Sequence, residues 1–243
     1  SLASSAGEIA LRHFGGPLAS DTKGDGTPVT AADKAIEGFL RREIASRFPT
    51  HGILGEEFGD ENPGADVRWI LDPIDGTLTL TRGVPLFGVL IGVEVEGEPC
   101  VGVAHMPALG ETVSAALGQG CRWNGAQASV SVVEELAEAL ILTTDPAALL
   151  DGPMARGWDR LVREGSLVRS WGDCYGHILV ATGRAEVMVD PVLSPWDAAP
   201  FLPILSEAGG RFTDGTGQSR YDGGSGVSTN GQLHNEVMEI LSS

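Results

Sequence analysis

An α/β protein is what this sequence predicts, and three patterns predict it. Apolar residues at helical spacing dominate the opening of the chain. Alternating strands joined by glycine turns follow, and strand–helix alternation fills the remainder. A division near Ser131 separates an N-terminal α+β half, 1-131, from a C-terminal α/β half, 132-243.

Leu2, Ala6, Ile9, Ala10 and Phe14 lie on or near one helical face, so the chain opens in a helix that Gly15-Gly16-Pro17 ends. A polar, glycine-rich loop is expected from Lys23 to Pro28. Thr30-Ala-Ala-Asp33 then has the form of a capping box, and Ile36, Phe39, Leu40 and Ile44 carry a helix towards Pro49. Ile53-Leu54 reads as a short buried strand ending in Gly55-Glu56-Glu57, and positions 60–66 read as loop. Val67 to Leu71 is a further strand. Pro73 fixes its own φ and lacks an N–H, so that strand is expected to end there in a tight turn carrying Asp72 and Asp75. A helix starting at Gly76 or Thr77 would aim its free N–H groups at the same point.

Phe87 to Val95 and Val101 to Met106 flank Glu96-Gly97-Glu98, a hairpin signal; a third strand covers Thr112 to Ala116, and Asn124-Gly125 marks another turn. Later strands are expected at Leu140 to Thr143, Leu167 to Ser170, Ala185 to Val189, Arg211 to Thr213 and Val227 to Thr229. Helices are expected at Met154 to Val162, Cys174 to Thr182 and Leu233 to Leu241, with one more opened by Asp197 and bent at Pro203.

The 243 residues carry a formal charge of −17. A nucleic acid needs a basic face, so that partner is excluded. No apolar run approaches the ~20 residues that span a bilayer, and no basic-then-apolar leader is present. Membrane association is therefore not expected. Cys100, Cys121 and Cys174 are odd in number and form no CxxC, which points to a reducing cytoplasm without disulfides.

Asp33, Glu56, Glu57, Asp72, Asp75 and Asp197 each follow or end an apolar element. Taken singly, Asp33 and Asp197 read more readily as helix-capping residues than as chemistry, and Glu56 and Glu57 read as a solvated pair after a strand. Asp72 and Asp75 are different, because two acids around Pro73 and beside Gly76 serve no packing purpose. A hard cation wants more oxygen ligands than one turn can offer, so Glu56 and Asp197 are the natural recruits. Mg2+ fits best, since the five histidines show no ligand spacing with cysteine. Proline at position 73 removes the aspartyl nucleophile of a haloacid-dehalogenase-type phosphatase. No GxxxxGK[ST] loop, GxSxG elbow or cysteine-phosphatase signature is present. Water activated by metal is the nucleophile that remains.

Glu56-Glu57, the run Asp72-Pro-Ile-Asp-Gly-Thr77 and Trp196-Asp197 together resemble the inositol monophosphatase superfamily of Mg2+-dependent phosphatases. Arg169-Ser-Trp-Gly-Asp-Cys-Tyr-Gly176, followed by Ala185 to Asp190 and Pro195-Trp-Asp, is most similar to its histidinol-phosphatase branch. Leu78 and Leu80 depart from many relatives, which carry polar residues and then Phe after the DGT. Gly215 stands where many histidinol phosphatases have Trp.

The resemblance implies a five-layer αβαβα sandwich of the inositol monophosphatase / fructose-1,6-bisphosphatase type, a homodimer, and a small phosphate monoester as substrate. L-histidinol phosphate stands first, with inositol-1-phosphate or another sugar or nucleotide monoester as the alternative. A metal- or phosphate-binding protein without catalysis is the rival of another class. By resemblance, Glu56, Asp72 and the Ile74 carbonyl hold one Mg2+, while Asp72, Asp75 and Asp197 hold a second. Glu56 helps a looser third, and Mn2+ is a possible substitute. Asp33 and Thr77 orient and deprotonate water, with Glu57 grouped among the catalytic candidates. The N–H groups of Gly76 and Thr77 bind phosphate. Asp190 contacts substrate hydroxyls, and Asp173 the amine or imidazole of histidinol phosphate.

Overall fold

The computed structural model describes residues 1–15, 20–22 and 28–243. The loop expected over Lys23 to Pro28 and the Gly16-Pro17 stop lie outside them, except for Pro28. Helix α1 (Leu2–His13) precedes a strand pair, β1 (Ser20–Thr22) and β2 (Pro28–Thr30), and then α2 (Ala31–Arg47). An eight-stranded sheet follows from β3 (Gly52–Gly55), β4 (Gly59–Glu61), β5 (Val67–Asp75), β6 (Gly88–Val95), β7 (Glu98–Met106), β8 (Glu111–Ala116), β9 (Cys121–Trp123) and β10 (Ala126–Ala128), in the order β10-β9-β8-β7-β6-β5-β3-β4. Helix α3 (Thr77–Thr81) sits between β5 and β6.

A second sheet, ordered β12-β11-β13-β15-β14, contains β11 (Leu140–Leu142), β12 (Leu167–Arg169), β13 (Val187–Asp190), β14 (Arg211–Thr213) and β15 (Gly226–Thr229). Helices α4 (Ala155–Glu164), α5 (Asp173–Ala181), α6 (Pro195–Ala198), α7 (Phe201–Glu207) and α8 (His234–Leu241) complete the chain.

Alternation along the strands assigns the faces. Val89 and Ile91 pack with Ala6 of α1 and Ile36 and Leu40 of α2. Leu90, between them, points the other way, into a core shared with Ile178 of α5, Ile204 of α7, and Leu142 and Met188 of the second sheet. Ile141, Val187 and Val189 turn outwards onto Trp158 of α4 and Val237 of α8. Helices, sheet, helices, sheet, helices therefore stack as the expected five layers.

Several boundaries differ from expectation. A short edge strand, β4, occupies part of the segment read as loop; its exposed Gly-Asp-Glu sequence carries no apolar signal, and pairing with β3 alone defines it. The 195–207 region breaks at Ala199 and Pro200 rather than bending at Pro203. Asp197 is the third residue of α6, not its cap; Ser194 caps it. Pro73 does not end β5. The β5–β6 register runs Asp72↔Leu90 and then Asp75↔Gly88, so β5 holds one extra residue there. A bulge leaves a backbone position unpaired, which suits a residue with no N–H to donate.

Candidate active site

That bulge has a direct consequence for side chains. Residues three apart on a regular strand point to opposite faces. The extra residue re-phases the strand, and carboxylate oxygens of Asp72, Asp75 and Asp197 all lie within 4.8 Å of one another. Asp72 is 2% exposed, and its Oδ1 is buried without a hydrogen bond.

The remaining acids arrive by register and capping. Strands β3 and β5 run parallel with Gly55 opposite Leu71, so Glu56 emerges beside Asp72, and the Glu56 N–H donates to the Leu71 carbonyl at 3.3 Å. Asp197 accepts from the Ser194 N–H at 2.8 Å through Oδ2. Asp33 closes the predicted capping box, its Oδ2 accepting from the Thr30 N–H at 2.8 Å and hydroxyl at 2.6 Å. Its Oδ1 accepts from the Thr77 hydroxyl at 3.1 Å, which also lies 3.0 Å from the Ile74 carbonyl.

Gly76 has φ +80°, and a Cβ there would press on the Asp173 carboxylate at 3.1 Å and the Leu86 carbonyl at 3.2 Å. Glycine meets both demands, and Thr77 then opens α3.

Like charges in a dry site resist ionisation. Burial first, then Glu56, Asp197 and Asp75, holds Asp72 well above the usual carboxylate range. Burial and the neighbouring Asp173 and Asp197 do the same for Asp75. Burial, with Glu56 adding to it, raises Asp197 to about 7. Among the described residues, no Lys or Arg forms an ion pair with Asp72, Asp75 or Asp197. An orphaned buried oxygen amid hard oxygen donors fits a divalent cation.

Sequence reasoning missed several residues that hold this arrangement. Glu37, fully buried on α2, accepts from the Glu57 N–H at 2.7 Å, the Phe58 N–H at 3.2 Å and Arg41 Nε at 2.8 Å, which fixes the Glu56-Glu57 turn. Its only signal was the Glu37–Arg41 spacing of four. The Cys174 N–H donates to Asp75 Oδ2 at 2.5 Å. Burial, then the charge of Asp75, pushes the Cys174 thiol well up from its ordinary value.

A cleft of about 300 Å3 lies over α3, lined by Leu78, Thr79 and Val84 together with Thr144, Ser170 and Asp173, with exposed Arg82 among its lining; among the described residues, Asp173 is the one acid that borders it. Asp173 is the first residue of α5, whose cap is Gly172. Asp190 does not line the cleft. It is 1% exposed, with Oδ1 accepting from the Thr144 N–H at 3.0 Å and Oδ2 at 3.2 Å from His177 Nε2.

The model of the inositol monophosphatase family matches residues 1–243. A histidinol-phosphatase of Chlorobaculum parvum is 45% identical over 242 residues, spanning 99% of this chain and 93% of that protein. One from Mycobacterium tuberculosis is 39% identical over 246 residues, spanning 99% and 95%. Among solved structures, the extragenic suppressor protein suhB of Bartonella henselae superposes with a TM-score of 0.93 at 27% identity, covering 100% of this chain and 96% of that one. SaIMPase-II bound to inositol monophosphate gives 0.84 at 26% identity, covering 98% and 89%. With the family model matched along its whole length, the chain belongs to the inositol monophosphatase family.

Proposed function

We propose that this chain is a Mg2+-dependent phosphatase that hydrolyses a small phosphate monoester, foremost L-histidinol phosphate, to the free alcohol and inorganic phosphate. One observation carries the reading. Carboxylates from β5 and α6 meet beside a Thr77–Asp33 pair that plain binding would not require. Two histidinol-phosphatase relatives spanning nearly the whole chain support the substrate class.

Asp72, Asp75, Asp197 and Glu56, with the Ile74 carbonyl, would hold the metal, and an all-oxygen set suits Mg2+, with Mn2+ as a substitute. Divalent ions, when bound, supply charge that acidifies a water and offsets the negative charge on phosphate and leaving oxygen. The chain's own groups do the rest. Asp33, anchored by the helix cap, accepts the Thr77 hydroxyl proton. Thr77 Oγ1 then has a lone pair for the attacking water, and Asp33 is the final acceptor of the water's proton. Glu57, beside Glu56, is the further catalytic candidate. The N–H groups of Gly76 and Thr77 hold phosphate oxygens while water attacks phosphorus in line and the ester P–O bond breaks. Asp173 offers a carboxylate in the cleft to the substrate's ammonium or imidazole.

Inositol-1-phosphate is the competing substrate, since SaIMPase-II binds inositol monophosphate. Against it, Asp190, the acid expected to take a polyol hydroxyl, is buried at 1% exposure between Thr144 and His177. The family likeness further implies a homodimer, which sedimentation equilibrium would test, and the cysteine pattern implies a cytoplasmic enzyme.

Phosphate release from L-histidinol phosphate, inositol-1-phosphate and fructose-1,6-bisphosphate, with and without Mg2+, tests the reading. Histidinol phosphate should lead by at least about tenfold in kcat/KM, or about 1.4 kcal/mol. Asp72→Asn should stay folded and lose nearly all of the activity. Equal turnover of the three would undo the substrate choice. No Mg2+-dependent release from any would undo the phosphatase and leave a binding protein.

A further inference from the structure

Asp173 is an aspartate with φ +51°, a left-handed conformation that costs roughly 1 kcal/mol for a residue with a side chain. Something must hold it there. Its N–H donates to Thr144 Oγ1 at 2.8 Å, and its Oδ2 accepts from Thr79 Oγ1 at 2.9 Å. Thr144 is itself held from behind. Its N–H donates to Asp190, Asp190 meets His177 Nε2, and His177 Nδ1 lies 2.7 Å from Ser228 Oγ. His177 and Asp190 are almost fully buried, and His177 packs against Phe201 and Phe212. A Cβ on Gly172 would collide with Thr144, so the two segments touch along their backbones as well.

Topology explains why these groups meet. Strands β11, β12 and β13 are parallel neighbours, and Thr144, Asp173 and Asp190 all lie at or just beyond their carboxyl ends. Ligand crevices in α/β sheets form at that edge. Asp173 Oδ1 accepts no hydrogen bond among the described residues, while the residue lines the cleft.

We propose that Thr144, backed by the buried Asp190–His177 pair, is a positioning residue that locks Asp173 in its left-handed conformation and thereby sets the preference for a substrate bearing a cation. Asp190 then acts through Thr144 rather than on substrate. This rests on Asp173 receiving the substrate's ammonium or imidazolium group.

The test compares the full-length wild type with Thr144→Val, Thr144→Ser and Asp173→Asn, all with Mg2+. KM and kcat are measured for L-histidinol phosphate and for glycerol phosphate, which carries no cation. Thr144→Val keeps the shape and removes the acceptor. It should raise KM for histidinol phosphate about fivefold or more, the loss of one hydrogen bond, with kcat and the KM for glycerol phosphate within about twofold. Thr144→Ser should restore the wild-type KM. An equal change on both substrates, or none on either, would overturn the positioning role. If Asp173→Asn raises KM for histidinol phosphate and Thr144→Val does not, the relay fails and the substrate reading stands. If Asp173→Asn changes neither KM, the substrate reading itself fails.

Discussion

Asp33 and Asp197 serve two structures with one side chain each. Both are the third residues of their helices and close capping boxes, and each accepts at one oxygen from the backbone N–H of its cap residue. Asp33 gives its other oxygen to Thr77, and Asp197 lies among the acids. Both side chains hold a capping box, and the chemical role proposed for each can be separated from that structural one. The amide oxygen of Asn can still accept from the Thr30 N–H and hydroxyl, but Asn cannot take up a proton in the same way. Asp33→Asn should lower kcat by about 10²–10⁴-fold and change the urea midpoint little. Stopped-time phosphate release and denaturation on one preparation check both. The capping box at Thr30 was legible because it is local, a spacing of three beside an apolar run. The reach from Asp33 to Thr77 was not, since no local pattern ties positions 44 residues apart. That link came only through family resemblance.

Secondary-structure elements position the acids more tightly than the motifs alone convey. The hairpin at Glu96-Gly97 was legible because both residues take positive φ, +53° and +85°, as a tight turn demands. The β5 bulge was not legible, because Pro73 reads equally as a stop or as an irregularity within a strand, and only the partner strand decides. Glu37 was silent because its partners, the Glu57 and Phe58 N–H groups, lie 20 and 21 residues away. The glycines of the sheet were also silent. Gly92 and Gly102 share the face that meets the α6–α7 junction, where a Cβ on Gly92 would sit 3.1 Å from Ala199 Cβ and one on Gly102 would collide with the Pro200 carbonyl. That close approach seats α6, and Asp197 with it, against β5. Gly102→Ala should push the junction outwards, costing about 1–3 kcal/mol as overpacking does. It should also raise the Mg2+ concentration needed for half-maximal activity. A thermal melt and a Mg2+ titration of activity check the two effects.

At the scale of the molecule, stability depends on buried polar groups that have no part in chemistry. His234 opens α8 and joins it to both β14 and β15, with Nδ1 3.0 Å from Thr229 Oγ1 and Nε2 3.4 Å from Thr213 Oγ1. Burial, then the charge of Arg211, lowers its pKa from 6.5 to about 4. Between those values the unfolded chain binds a proton that the folded chain refuses. Stability from this group is therefore full above pH 6.5 and falls as the pH drops towards 4. His234→Gln should flatten the decline in urea midpoint between pH 7 and pH 5, relative to wild type. The five layers were only partly legible: strand–helix alternation implied an α/β layer, but stacking two sheets on one shared helical layer depends on long-range contacts that spacing does not encode. Those contacts also bind the two ends of the chain into one catalytic unit. Asp72 and Asp75 lie before the last strand of the first sheet at Ala128, and Asp197 lies beyond the first strand of the second at Leu140. Severed between those strands, each fragment would bare its share of the common apolar core and retain an incomplete chelate. Phosphate release should then return only when the two pieces are mixed, with a second-order dependence on their concentrations.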